Sequence, residues 1–181
     1  MSAAAATPVT IAAFNARPAV DARAALAPLF EGAPRFLGRL VAARPFGSWS
    51  GLFERAREIA FGMPEGEQIE LVDAHPRLGA PPGSVSALSY VEQGYDADLA
   101  DAAAEAERVR VRIDAELAAL NDAYEARFGF RYCVFVAGRP RAALLPEMRS
   151  ALSAGRDDEL HRALDAVVNI AESRLAAIQR S

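Results

Sequence analysis

Two long runs of apolar residues at spacings of three and four dominate the second half of the chain. Val109, Ile113, Leu117, Leu120, Tyr124 and Phe128 make the first, and Leu160, Leu164, Val167, Ala171, Leu175 and Ile178 the second. That spacing follows the 3.6-residue turn of an α-helix, so each run presents one apolar face that must be buried against a neighbour. Gly129 stands where the first of these helices needs its C-terminal cap. Residues 130–136, between the two, are almost continuously apolar and too few for an ordinary helix. They read as a buried extended segment or as the start of another helix. Proline and glycine cut the first half into shorter helical pieces, near 17–30, 34–41, 49–61 and 65–74. Residues 76–88 read as a loop, and a helix starts after Ser89 that Gly94 keeps short or irregular. No repeat and no linker divides the 181 residues, a length suited to one domain with a proper core. The prediction is an all-α, compact, single-domain multi-helix bundle over residues 13–181, preceded by a flexible, alanine-rich stretch at 1–12.

Composition excludes several kinds of chemistry. All 20 basic residues are arginine, so neither a Schiff-base lysine nor a phosphate-loop lysine is available. The net charge of -4 gives nucleic acid no attraction. The single cysteine, Cys133, rules out an intrachain disulfide and a four-thiolate metal site. It sits in an apolar run and reads as a small buried hydrophobe. No stretch approaches the length of a membrane span and no secretory leader is evident, so the expected location is cytoplasmic.

Only two histidines are present. His161 falls about 100° off the apolar stripe of the last helix and reads as an exposed bystander. His75 precedes Pro76, which disfavours helix in the residue before it, and so falls at a helix C-terminus. There the helix dipole favours the imidazolium, so His75 is expected to have a raised pKa and to donate a proton or hold an anion. The alternative is a simple cap over the preceding carbonyls. Ser89-x-x-Glu92 has the form of a capping box, yet the same helix start offers free N–H groups to an anion, with Glu92 as acceptor or proton relay and Gln93 as an amide. Arg174 lies about 40° from the centre of the last helix's apolar stripe. A buried arginine needs a partner, either a protein carboxylate or a substrate carboxylate in a bidentate fork. Arg77 reads as an anion ligand or a surface charge, and Arg108, Arg110 and Arg112 as a solvated face.

Four segments in order carry a resemblance. They are Ala74-His75-Pro76-Arg77-Leu78-Gly79, Ser89-x-x-Glu92-Gln93, Tyr124-x-x-Arg127-Phe128-Gly129-Phe130 and Ile170-Ala171-x-x-Arg174-Leu175. With Leu29-Phe30-Glu31 and Pro45-Phe46, the chain resembles 2-oxo-4-hydroxy-4-carboxy-5-ureidoimidazoline (OHCU) decarboxylase over nearly its whole length. The resemblance implies an all-α domain of that type, a homodimer, with no metal and no organic cofactor, acting on a small-molecule substrate with neither nucleic acid nor membrane as partner. It implies that His75 and Glu92 are catalytic. It further implies substrate contacts from Pro76, from Ser89, Tyr90, Val91 and Gln93, from the main-chain strip Phe130, Arg131, Tyr132, Cys133 and Val134, and from Arg174. Arg131 stands where the family often has proline.

The chemistry implied is loss of carbon dioxide from OHCU in urate breakdown, with the ring imine accepting the electrons and (S)-allantoin as product. The expected roles are a charged His75 that stabilises the intermediate and supplies or relays a proton, Glu92 holding the hydroxyl and ureido groups, and Arg174 fixing a carbonyl or carboxylate. Two rival readings remain at this point: an enzyme of the same fold acting on a related ureido compound, and a non-catalytic helical binding module in which these residues are caps.

Overall fold

The computed structural model describes residues 9–80, 85, 86, 93 and 104–180, with the backbone alone for 104–107. The helix expected after Ser89, and with it Ser89, Tyr90, Val91 and Glu92, lies outside the described residues. The regular elements among the described residues are all helices, with no strand. In chain order the helices are α1 (Ile11–Asn15), α2 (Ala19–Leu26), α3 (Pro34–Ala42), α4 (Trp49–Gly62), α5 (Glu65–Asp73), α6 (Ala104–Phe128), a 3-10 turn (Arg141–Leu144), α7 (Leu145–Ala151) and α8 (Arg156–Arg180).

Local sequence sets most of these boundaries. Thr10 and Ser48 accept hydrogen bonds from the N–H groups of Ala13 and Gly51 and so cap α1 and α4. Pro34 opens α3, where its missing N–H costs nothing. Gly129 ends α6 with φ +78°, a left-handed position that suits glycine. The last helix is the spine of the fold. It packs on α4 and α5 and buries Leu160, Leu164, Val167, Val168 and Ile170. Ala163, Ala166 and Ala171 share the buried core with Ala56 and Ala60, and such small side chains leave room for close helix approach. Its stripe runs out at Ile178, which is 49% exposed. The stripe of α6 likewise buries only its C-terminal half, from Leu117 to Phe128, while Val109 is exposed.

Two helical pieces escape a periodicity argument. The turn Arg141–Leu144 and α7 are too short to show a repeat. Helix α1 begins inside the stretch taken as a flexible N-terminus, because Thr10 caps it and Phe14 anchors it against Trp49 and Phe46.

Residues 131–136 are neither strand nor helix, and arginines explain how the backbone tolerates that. The Cys133 carbonyl accepts from Arg162 Nη1 at 2.9 Å, and the Phe135 and Val136 carbonyls accept from Arg139. Buried main-chain groups must be paired, and here side chains replace a ladder. Phe130 and Tyr132 point into an aromatic cluster around Tyr124, with ring centroids 5.7 and 5.1 Å from its ring. The Tyr124 hydroxyl donates to Glu159, and Glu159 accepts from Arg162, which lies over the Tyr132 ring. The strip is thereby held from behind.

Candidate active site

His75 follows the C-terminus of α5. Its backbone N–H still bonds the Val72 carbonyl, and its Nδ1 lies 3.3 Å from the Leu71 carbonyl. A carbonyl only accepts, so Nδ1 carries the proton and Nε2 keeps a lone pair. The ring is 4% exposed, and Nε2 has no partner among the described residues. It belongs to a small cleft lined by Pro76, Gln93 and Ile170 and by the strip residues Tyr132, Cys133 and Val134. A buried nitrogen left without a partner is costly, and at a cleft it marks where a ligand would bind.

The electrostatics overturn the expectation of a raised pKa. Burial foremost, and then the Arg174 charge, depress the His75 pKa from 6.5 to about 4, against the smaller opposing effects of Glu31 and the Leu71 carbonyl. The dipole argument applies to an exposed terminus, and this one is desolvated. His75 is therefore neutral near pH 7, with an accepting Nε2, and not the charged donor that the sequence led us to expect.

The loop carrying His75 is fixed from several sides. Arg131 donates through its backbone N–H to Asp73 Oδ1 at 2.8 Å, and through Nη1 to the carbonyls of Asp73 and His75 at 2.7 and 3.1 Å. A proline at 131 would lack that N–H. Arg131 thus faces the His75 backbone and holds the loop in place. Asn121 donates to the Leu78 carbonyl, and Gly79 donates to Gln93 Oε1 at 3.0 Å. Gly79 has φ +76°, and a Cβ there would stand 3.1 Å from Leu117 Cδ1, so the position requires glycine. Arg77 pairs with Glu125 and Asp122 of α6, which settles its role as a tie between loop and helix.

Arg174 is 3% exposed, as its position on the apolar stripe requires. The partner left open by the sequence is a protein carboxylate. Nη2 bonds Glu31 Oε1 at 2.8 Å, and Nη1 bonds the carbonyls of Pro28 and Leu29. Phe130 is a buried core ring, and Cys133 is buried as expected. His161 stacks on Phe61 at 4.0 Å, outside the site. Glu31, Asp73, Asn121 and Arg162 are structural supports of the site that residue-by-residue reading passed over. Only Glu31 had a signal, as part of the Leu29-Phe30-Glu31 segment.

A wider, more open groove also borders the strip, lined by Tyr132, Val134, Glu159, Arg162 and Asn169 among others. Several of its polar groups have partners: Arg162 donates to Glu159 and to the Cys133 carbonyl, and Asp165 and Asn169 accept from Arg57. The cleft at His75 is the smaller one, but it holds the unmatched nitrogen. Among the described residues no three His, Cys, Asp or Glu side chains converge as a metal site would require, and no helix is long and apolar enough to cross a membrane.

Comparison with known proteins places this geometry. The sequence pattern of the family described as OHCU decarboxylase matches residues 15–176. The chain is 30% identical over 153 residues to the uric acid degradation bifunctional protein PucL of Bacillus subtilis (strain 168), covering 84% of this chain and 29% of that one. It thus spans less than a third of that bifunctional relative. It is 29% identical over 148 residues to the 2-oxo-4-hydroxy-4-carboxy-5-ureidoimidazoline decarboxylase of Haloferax volcanii, covering 82% of this chain and 83% of that one. Among solved structures, an OHCU decarboxylase crystallised in the presence of (S)-allantoin superposes with a TM-score of 0.64 at 22% identity, over 87% of this chain and 98% of the other. An (S)-allantoin synthase superposes with a TM-score of 0.66 at 21% identity, over 94% of this chain and 54% of that one. At those identities the likeness concerns the fold.

Proposed function

Since the chain belongs to the OHCU decarboxylase family, we propose that it decarboxylates 2-oxo-4-hydroxy-4-carboxy-5-ureidoimidazoline and releases (S)-allantoin in urate degradation. The observation that carries this reading is the partnerless Nε2 of a buried, neutral histidine in a cleft walled by the 132–134 strip. The catalytic domain is residues 13–181, and the working form is a cytoplasmic homodimer that needs no metal or organic cofactor.

The reaction balances without an external electron sink. As carbon dioxide leaves, the electron pair of the broken C–C bond forms a double bond to the ureido-bearing carbon, and the ring imine nitrogen takes up a proton. The neighbouring hydroxyl then gives its proton to His75 Nε2 as its carbon becomes a carbonyl. The ureido-bearing carbon gains one proton on one face. A neutral imidazole suits this role, since it must accept before it donates. Burial strengthens its hydrogen bond to the substrate. Glu92 acts on the hydroxyl and ureido groups, and Ser89, Tyr90, Val91 and Gln93 line the substrate with Pro76. Arg174 supplies the positive field for the carboxylate, and the main chain of Tyr132 to Val134 binds ring oxygens.

Freshly generated OHCU tests the reading. With the protein it is expected to lose carbon dioxide faster and to give a circular-dichroism signal for one allantoin enantiomer. His75→Asn is expected to abolish that signal while the helical spectrum persists. Racemic allantoin formed at the spontaneous rate with wild-type protein would overturn the proposal, and turnover of another ureido compound in preference to OHCU would redirect it.

A further inference from the structure

The turn between α2 and α3 is built around the arginine of the last helix. Arg174 reaches it across the core, with Nη1 on the carbonyls of Pro28 and Leu29 at 3.1 and 3.2 Å and Nη2 on Glu31 Oε1 at 2.8 Å. Glu31 takes φ +49°, a left-handed conformation that residues with a Cβ rarely adopt, and Gly32 follows at φ +76°. Such strain persists only where the surroundings fix it, and it gathers at functional sites. Here it aims the carboxylate inward, where the side chain is 14% exposed beside an arginine at 3%. The same oxygen, Oε1, accepts from Ser86 Oγ at 2.9 Å. One carboxylate oxygen therefore meets both the buried guanidinium and a residue three positions before Ser89.

We propose that Glu31 is a positioning residue for the decarboxylation: its carboxylate seats the Arg174 guanidinium against the α2–α3 turn and joins Ser86 to the same seat. The inference rests on the reading of Arg174 as a substrate-holding group. The carbonyls of Pro28 and Leu29 orient the guanidinium, and Glu31 adds a negative charge, which a buried cation needs nearby. That counter-charge also reaches His75. Arg174 from α8 and Glu31 from the turn act on the imidazole in opposite senses. Arg131 touches the His75 carbonyl from the strip, and Asp73, two residues before His75, is one of four carboxylates on α5 with Glu65, Glu67 and Glu70. Without Glu31 the arginine's field at His75 is less opposed.

The two histidines make the test direct, because an NMR titration of the imidazole signals resolves His75 from His161 and His75→Asn assigns them. In Glu31→Gln the His75 midpoint is expected to fall by about half a pH unit or more while His161 stays in place. The KM for OHCU is expected to rise about tenfold with a smaller change in kcat. Glu31→Asp keeps the charge but shortens the reach, so it is expected to leave the His75 midpoint near wild type and still raise KM. A folded Glu31→Gln protein with both His75 midpoint and KM unchanged would overturn the proposal. If that variant does not fold, Glu31→Asp decides: an unchanged KM sinks the proposal and a raised KM supports it. If wild-type protein turns over no OHCU, the functional reading fails, and the titration still decides whether Glu31 seats Arg174.

Discussion

The burial of a neutral His75 predicts a specific acid lability. In the unfolded chain a histidine titrates near 6.5, and in the folded protein His75 does so at about 4. Between those values the unfolded state binds a proton that the native state refuses, so stability falls as pH falls. The contribution is fully present above pH 6.5 and is lost as pH drops toward 4. Each pH unit corresponds to about 1.4 kcal/mol, so the loss approaches roughly 2 kcal/mol by pH 5 and about 3 kcal/mol near pH 4. Because the ring is buried, solvent does not screen the effect away. The assay is urea unfolding between pH 7.5 and 4.5, followed by the fluorescence of Trp49, the only tryptophan, for wild type and His75→Asn. The variant has its own baseline stability, but it lacks the titrating group, so the difference between the two curves isolates His75. Wild type is expected to lose stability relative to the variant by about 2 kcal/mol from pH 7.5 to pH 5. Parallel curves across that range would refute the reasoning, as would a directly measured His75 midpoint at or above 6.5. Catalysis is tied to the same state. On account of His75, kcat/KM is expected to stay level from pH 6 upward, with no decline as an imidazolium is lost near pH 7.

Two further perturbations test the loop that carries His75. Gly79→Ala forces a side chain into a left-handed position 3.1 Å from Leu117 Cδ1, and is expected to cost about 1–2 kcal/mol in thermal or urea unfolding and to lower kcat; an unchanged melting temperature would show that the loop is not held there. Arg131→Met removes the bonds to the Asp73 and His75 carbonyls but leaves the backbone N–H on Asp73. It is expected to reduce kcat at least tenfold with a loss of no more than about 2 kcal/mol in stability, and full activity in a folded variant would remove Arg131 from the machinery.

Much of the architecture was legible in the chain because it depends on neighbours in sequence. The stripes of α6 and α8, the cap at Gly129, the proline opening α3 and the position of His75 after α5 all follow from local backbone preferences and a 3.6-residue repeat. The short α1 and α7 were not legible, since five and seven residues give no period to detect. Residues 131–136 stayed ambiguous for a different reason. Their carbonyls are satisfied by Arg139 and Arg162, and nothing in an apolar run shows that side chains from elsewhere will replace a ladder.

The site divides along the same line. The sequence by itself determined which groups were available: two histidines, one buried-face arginine, and the ordered segments of one family. It also required that Arg174 find a partner. Tertiary structure alone decided that the partner is Glu31, 143 positions away in the chain, and that Arg131 braces the loop behind His75. It also reversed the charge expected on His75. A helix terminus in water favours the imidazolium, but packing took that terminus out of water and set an arginine nearby. Backbone periodicity is a property of adjacent residues. Desolvation and ion pairing belong to whatever the fold brings together, and they fix the protonation state on which the chemistry depends.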